Sequence, residues 1–132
     1  MIGGRFDEHP WQIQSAPVIV EDAAFPATKH FPPRVMVNDE HYQLKEFSRA
    51  KVRVLARLDA TALDLTMPLV HRTDADFPVA WAHEFGKGRV FYSTLGHSDT
   101  SWDTPLIQRM YFEAMRWSLR LIEGDATPRP RR

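Results

Sequence analysis

The chain contains no cysteine, so there is no disulfide framework, no thiolate metal ligand and no cysteine nucleophile, and several enzyme classes fall away together. Nor is there an excess of either charge. Lys plus Arg and Asp plus Glu number 17 each, which removes the global field that draws basic proteins to nucleic acid or to anionic membranes. Basic and aromatic residues are not interleaved, a second reason to set nucleic acid aside. No apolar run reaches the roughly 18 residues of a membrane helix. The opening Met1-Ile-Gly-Gly-Arg5 is not a basic segment followed by an apolar one, so it does not read as a secretory signal. The expectation is a soluble, cytoplasmic protein with no membrane partner, no internal repeat and locally recognised ligands.

What is present is one domain's worth of chain, 132 residues, enough to bury a substantial apolar core. Ten prolines and four tryptophans point to a loop-rich α/β or α+β fold rather than a helical bundle. The strongest local signal is Pro78 to His97. Val79, Trp81, His83 and Phe85 alternate with smaller or polar residues, Gly86-Lys-Gly88 supplies a turn, and Val90, Tyr92 and Thr94 resume the alternation. That pattern predicts a β-hairpin with a three-residue connection. Its second strand delivers Leu95-Gly-His97, a histidine just past a strand end, where loops carry function on a rigid scaffold.

Pro17 to Asp22 and Arg34 to Val37 read as short strands, the second leading into Asn38-Asp-Glu-His-Tyr42. Adjacent carboxylates such as Asp39 and Glu40 point in different directions, so at most one faces a given pocket. Asn38 or Asp39 also reads as a cap for the following turn. Ala50 to Asp59 alternates Val52 and Val54 against Lys51, Arg53 and Arg57, a strand covered on one face with a basic face opposite. Thr66 to Asp76 is a polar connector. Thr104 followed by Pro105 predicts a helix start. A stripe of Leu106, Met110, Ala114, Trp117 and Leu121 carries that helix to Glu123-Gly124, with Gly124 as its left-handed cap. Ile2 to Trp11 reads as a loop, with His9 its candidate chemical group, and 125–132 as a disordered tail. Trp81 and Trp117 read as core.

As a set, Gly3-Gly-Arg-Phe6 with His9, Asp39-Glu-His-Tyr42, Pro78-Val-Ala-Trp81, Gly86-Lys-Gly-Arg-Val-Phe-Tyr92, Leu95-Gly-His97 and the terminal helix with Trp117 resemble the trehalose-utilisation, or ThuA-like, family. The resemblance implies an α/β fold, the flavodoxin-like three-layer sandwich of class I glutamine amidotransferases. Family members often lack the amidotransferase cysteine, in line with its absence here. It runs from Gly3 to about Leu121 and matches the C-terminal part of the family domain. The resemblance thus implies that residues 1–124 are a partial ThuA-like domain lacking its N-terminal half, with a β-hairpin and a long C-terminal helix. An unpaired sheet flank would invite self-association or a partner chain that completes the sheet.

The function implied is carbohydrate catabolism, of trehalose or a related glycoside. The residues implied to converge are His9, Asp39 or Glu40, and His97. Two histidines and a carboxylate suit either a divalent metal or acid/base work on a sugar or oxidised sugar. The absence of HxxH-type spacing favours the second, leaving a metal at His9 and His97 as the alternative. Tyr42 and Trp102 are the candidates for contact with the sugar ring. The competing class is a non-catalytic carbohydrate-binding or assembly module.

Overall fold

The computed structural model describes residues 1–131. Two antiparallel sheets form its frame. A small one pairs β1 (Arg5–Glu8) with β4 (Gln43–Lys45). The larger contains β2 (Ile13–Val20), β3 (Arg34–Glu40), β5 (Arg53–Leu58), β6 (Pro78–Phe85) and β7 (Gly88–Ser93), in the order β3-β2-β5-β6-β7. Every neighbouring pair in it is antiparallel. Two helices follow, α1 (Asp99–Trp102) and α2 (Pro105–Ser118). None is long and apolar enough to cross a membrane.

The architecture is mixed α/β, but the flavodoxin-like three-layer sandwich is not seen among the described residues. Its parallel strands need a crossover of about a dozen residues between neighbours. Here β2 to β3 and β6 to β7 are direct antiparallel connections, and α2 comes after the last strand rather than between two.

The 78–97 hairpin forms as its alternation predicts, with a tighter turn. Phe85 pairs with Gly88, so the connection is the two residues Gly86 and Lys87. Gly86 has φ +60° and Lys87 a negative φ, the arrangement of a type II′ turn, whose twist matches the flanking strands. β6 is buried from Pro78 to His83, because both its faces are covered. Trp81 joins Leu44, Val52 and Val54 on one side, while Ala80 and Ala82 join the main core under α2 with Val18, Leu55, Leu58, Ile107, Met110 and Trp117.

β5 departs from strict alternation. Its pairing with β6 shifts between Val54 and Ala56 and again before Arg57. Such a bulge changes which face the following residues occupy. Val54 therefore faces Trp81 while Ala56 and Leu58 face the main core. Lys51 of the basic face is exposed, but its two arginines are not solvated. Arg53 meets Asp22 at 2.6 Å and Asp125 at 2.6 Å, Arg57 meets Glu21 at 2.9 Å, and all but Asp125 are nearly buried.

Thr104 and Pro105 open α2 as their order predicts, although the Thr104 hydroxyl donates to the Thr100 carbonyl instead of capping. The helix stops a turn and a half early. Arg120 takes the left-handed position (φ +59°), its N–H donating to the Trp117 carbonyl and that of Leu121 to the Arg116 carbonyl, the paired bonds of a Schellman ending. Gly124 serves packing instead. A Cβ there would stand 2.7 Å from Pro26 Cδ, and its carbonyl accepts from Trp117 Nε1 at 3.0 Å. Residues 125–131 have no regular secondary structure; Asp125 and the Thr127 carbonyl accept from Arg53.

His41, at the end of β3, is fully buried, and its Nε2 donates to the Gln14 carbonyl at 3.0 Å. Burial holds its imidazole below the ordinary value of 6.5, so the ring is neutral in the fold while an unfolded chain takes up a proton as pH falls. Its contribution is therefore complete above about pH 6.5 and is lost as pH drops towards the lowered folded value. Urea unfolding midpoints at pH 7.5 and 5.5 will fall more steeply for the native chain than for His41→Gln. Equal slopes would refute the assignment.

Candidate functional site

The end of β3 sends its two carboxylates apart, as adjacent strand residues must. Asp39 turns inward and is fully buried. It accepts the backbone N–H groups of Gly96 (2.6 Å), His97 (3.1 Å) and Ser98 (2.9 Å), and that of Glu40 at 3.0 Å. Burial works to raise its pKa, but the bonds from the Gly96, Ser98 and Glu40 N–H groups outweigh it and hold the carboxyl below its ordinary value. Asp39 thus ties the loop after β7 to β3 from a fully buried position.

That loop needs its glycine. Gly96 has φ +107°, and a Cβ would stand 2.9 Å from the Trp102 ring; both conditions exclude a side chain. Ser98 then caps α1, its hydroxyl accepting from the Ser101 N–H at 3.2 Å and donating to the Asn38 carbonyl at 3.1 Å. His97, between the two, is pushed outward with its side chain 48% exposed.

Glu40 faces the other way, its side chain 16% exposed, between two imidazoles. His97 Nδ1 lies 3.6 Å from one oxygen and His9 Nδ1 3.8 Å from the other. Tyr42, two residues on, places its hydroxyl 3.0 Å from His97 Nδ1. Burial first, then the neighbouring Glu40 carboxylate, pushes the Tyr42 phenol far above its ordinary value, so its hydroxyl stays protonated. Phe6 of β1 stands edge-on to Tyr42 at 5.2 Å and stacks near His9 at 6.0 Å, forming a half-exposed apolar wall.

Of the six residues singled out from sequence, four meet here: His9, Glu40, Tyr42 and His97. Asp39 lies beneath them and works through the loop. Trp102 is half exposed but lies against Tyr111, ring centroids 5.1 Å apart, and over Gly96. Among the described residues it has no ring contact or hydrogen bond with the other four. No group of three or more His, Asp or Glu side chains there is arranged to hold a metal ion.

Sequence reading overlooked Gln12. Its side-chain amide bonds His9 Nδ1 at 3.1 Å, and its backbone is left-handed at φ +53°. The signal available was the His9-Pro-Trp-Gln12 run, which forms a turn closed by the Gln12 N–H on the His9 carbonyl at 3.1 Å.

The family model for trehalose utilisation, ThuA, matches residues 1–118. The chain belongs to that family. A ThuA-like protein from Bacteroides uniformis has the same fold over 89% of this chain, with TM-score 0.70 and 27% identity. A ThuA-like protein from Parabacteroides merdae matches over 88% with TM-score 0.58 and 13% identity, a likeness of fold. This ThuA chain spans 48% of the first structure and 40% of the second, about half the length of its solved relatives. No curated protein matches it.

Proposed function

We propose that this ThuA chain takes part in the breakdown of trehalose or a related glycoside by binding a sugar or oxidised sugar at the Glu40 cluster. The observation that carries the reading is the placement of one carboxylate between two imidazoles, His9 and His97, with a protonated tyrosine hydroxyl alongside. Imidazole and carboxylate side chains serve as the proton donors and acceptors in acid/base work on hydroxyl and carbonyl oxygens. Phe6 and Tyr42 offer apolar surface to a ring face, and Asp39 holds the His97 loop in place. The test is a calorimetric titration with trehalose, simple glucosides and their oxidised derivatives, alongside an assay for turnover. Binding that falls at least tenfold in His97→Ala, with the fold intact by circular dichroism, supports the site. Absence of binding by any of these sugars would sink it, and binding without turnover would assign the chain to the non-catalytic carbohydrate-binding class.

The same reading includes association. β7 is an outer strand of the sheet, and beside it Phe85, Met115 and Leu119 are 55%, 57% and 71% exposed. An unpaired edge flanked by apolar side chains favours pairing with another chain. In such an assembly the antiparallel unit becomes one part of the larger three-layer sandwich that the family resemblance implies. Light scattering at tens of micromolar is expected to give a dimer or larger. A monodisperse monomer would overturn this part alone.

A further inference from the structure

Two residues on one face of β3 reach the same loop. Glu40 lies 3.6 Å from His97, and two positions back the Asn38 amide donates to the Thr100 hydroxyl at 3.3 Å. Alternate strand residues share a face and stand about 7 Å apart, so the two contacts are successive rungs between β3 and the 97–100 segment. Between them the Ser98 hydroxyl donates to the Asn38 carbonyl at 3.1 Å. At the second rung lies a groove of about 250 Å3, lined by Ser15, Asn38 and Thr100 together with the apolar Val37, Leu106 and Ile107. It has room for one pyranose ring. A few polar groups converging on a largely apolar hollow are the usual makeup of a small-molecule site.

These polar groups are loosely engaged. Ser15 Oγ donates to Asn38 Oδ1 at 3.4 Å, and the Ser98 and Thr100 hydroxyls stand 3.2 Å apart, beyond the usual range for O–H donors. A side-chain amide offers two N–H groups and two lone pairs. Asn38 uses one of each, and among the described residues the other N–H and lone pair have no partner. Ser15, Asn38 and Thr100 are all exposed. The backbone adds to them, because β3 is an outer strand. The bonds from Val20 N–H to the Pro33 carbonyl and from His41 N–H to the Gln12 carbonyl lie in one unbroken register. By the alternation of an antiparallel ladder, Val35, Val37 and Asp39 then bond to β2, while the backbone groups of Met36 and Asn38 point off the open edge. A peptide strand is a poor occupant, since Ser98 and Thr100 cross that edge at Asn38 and leave too short a run to pair.

We propose that this groove is a second sugar subsite: Asn38, with Ser15 and Thr100, binds the hydroxyls of the second ring of a two-ring glycoside whose first ring lies at His97 and Glu40. The place of the first ring rests on the sugar reading above; the second subsite rests on the groove itself. Sugar hydroxyls both donate and accept, as the free N–H and lone pair of Asn38 require. No charged side chain lines the groove, so the ring it takes is neutral, and an oxidised ring is directed to the imidazoles.

The experiment is a calorimetric titration of the full chain with trehalose and with methyl α-glucoside, a one-ring counterpart. The native chain is expected to prefer trehalose by at least about tenfold. In Asn38→Ala and in Thr100→Val that preference falls about fivefold, the equivalent of one hydrogen bond. Circular dichroism checks the fold, and Ser15→Ala, at the opposite side of the groove, takes the place of a variant that does not fold. Equal affinity of the native chain for the two sugars overturns the proposal, as does a preference unchanged by these substitutions. His97→Ala separates the two ideas. Trehalose binding that fails in His97→Ala but keeps its preference in Asn38→Ala strikes out the second subsite alone. A preference that follows Asn38 while His97→Ala binds as the native chain does upholds the groove and sinks the reading at Glu40. Binding of neither sugar overturns both.

Discussion

Asp39→Ala is expected to destabilise the chain by about 3 to 5 kcal/mol, since it strands two or three buried donors at about 1 to 3 kcal/mol each. The carboxylate is fully buried and collects four backbone N–H groups, three of them from Gly96, His97 and Ser98. Water reaches some of these donors in the variant, which keeps the figure below the full sum. For a chain of this length the melting temperature should fall by roughly 10 °C or more. Asp39→Asn should lie between, because its amide retains one accepting oxygen but turns an NH2 towards donors. The pH dependence follows from the lowered carboxyl. The stabilisation is complete above the unfolded value near 3.8 and is lost as pH falls through the lower folded one. The acid limb of the native stability curve should therefore be steeper than that of Asp39→Ala. Urea unfolding across pH 2.5 to 7, roughly the range in which carboxyls titrate, checks both claims; a loss under about 1 kcal/mol would refute the anchoring role. Sugar binding should weaken with the loop, since His97 depends on it.

The second large effect is expected at the other end of the sheet. Arg49 holds two nearly buried carboxylates, reaching Glu21 at 2.7 and 2.8 Å and Asp76 at 2.7 Å through two nitrogens. Burial works to lower the pKa of its guanidinium, but the hydrogen bonds and then the charges of Asp76 and Glu21 push it above its ordinary value, so it stays charged. Among the described residues, Arg49→Met leaves Asp76 without its cation and Glu21 with Arg57. Breaking a buried pair from one side costs about 3 to 5 kcal/mol, because the remaining charge is desolvated and unpaired. Lysine should rescue little, since an ammonium cannot form two bidentate bonds. The decisive variant adds Glu21→Gln and Asp76→Asn to Arg49→Met. If stranded charge is the cause, this triple variant regains more than half the loss in urea midpoint. A triple variant no more stable than Arg49→Met would place the loss in packing.

Local chemistry was legible from the order of residues. Alternation and a glycine turn specify the 78–93 hairpin, Thr104-Pro105 specifies where α2 begins, and the apolar stripe identifies Trp117 as core. The outward and inward placement of Glu40 and Asp39 follows from strand geometry. Family membership was legible as well, since it rests on combinations of short motifs. Each of these depends on residues close in the chain, where spacing alone determines which side chains share a face.

The tertiary structure decided what depends on distant residues. The β5 bulge, which sends Val54 and Leu58 to different cores, follows from pairing with β6. The early end of α2 follows from its Schellman bonds at Arg120, and Gly124 is a glycine because Pro26 packs against it. The basic face of β5 is neutralised by Glu21 and Asp22. Asp39 became a loop anchor only when Gly96 to Ser98, more than fifty residues away, supplied the donors. Trp102 was drawn to Tyr111 and away from His97. The meeting of His9, Glu40, Tyr42 and His97 depends on segments far apart in the chain, and a one-dimensional pattern carries no information about which side chains face one another.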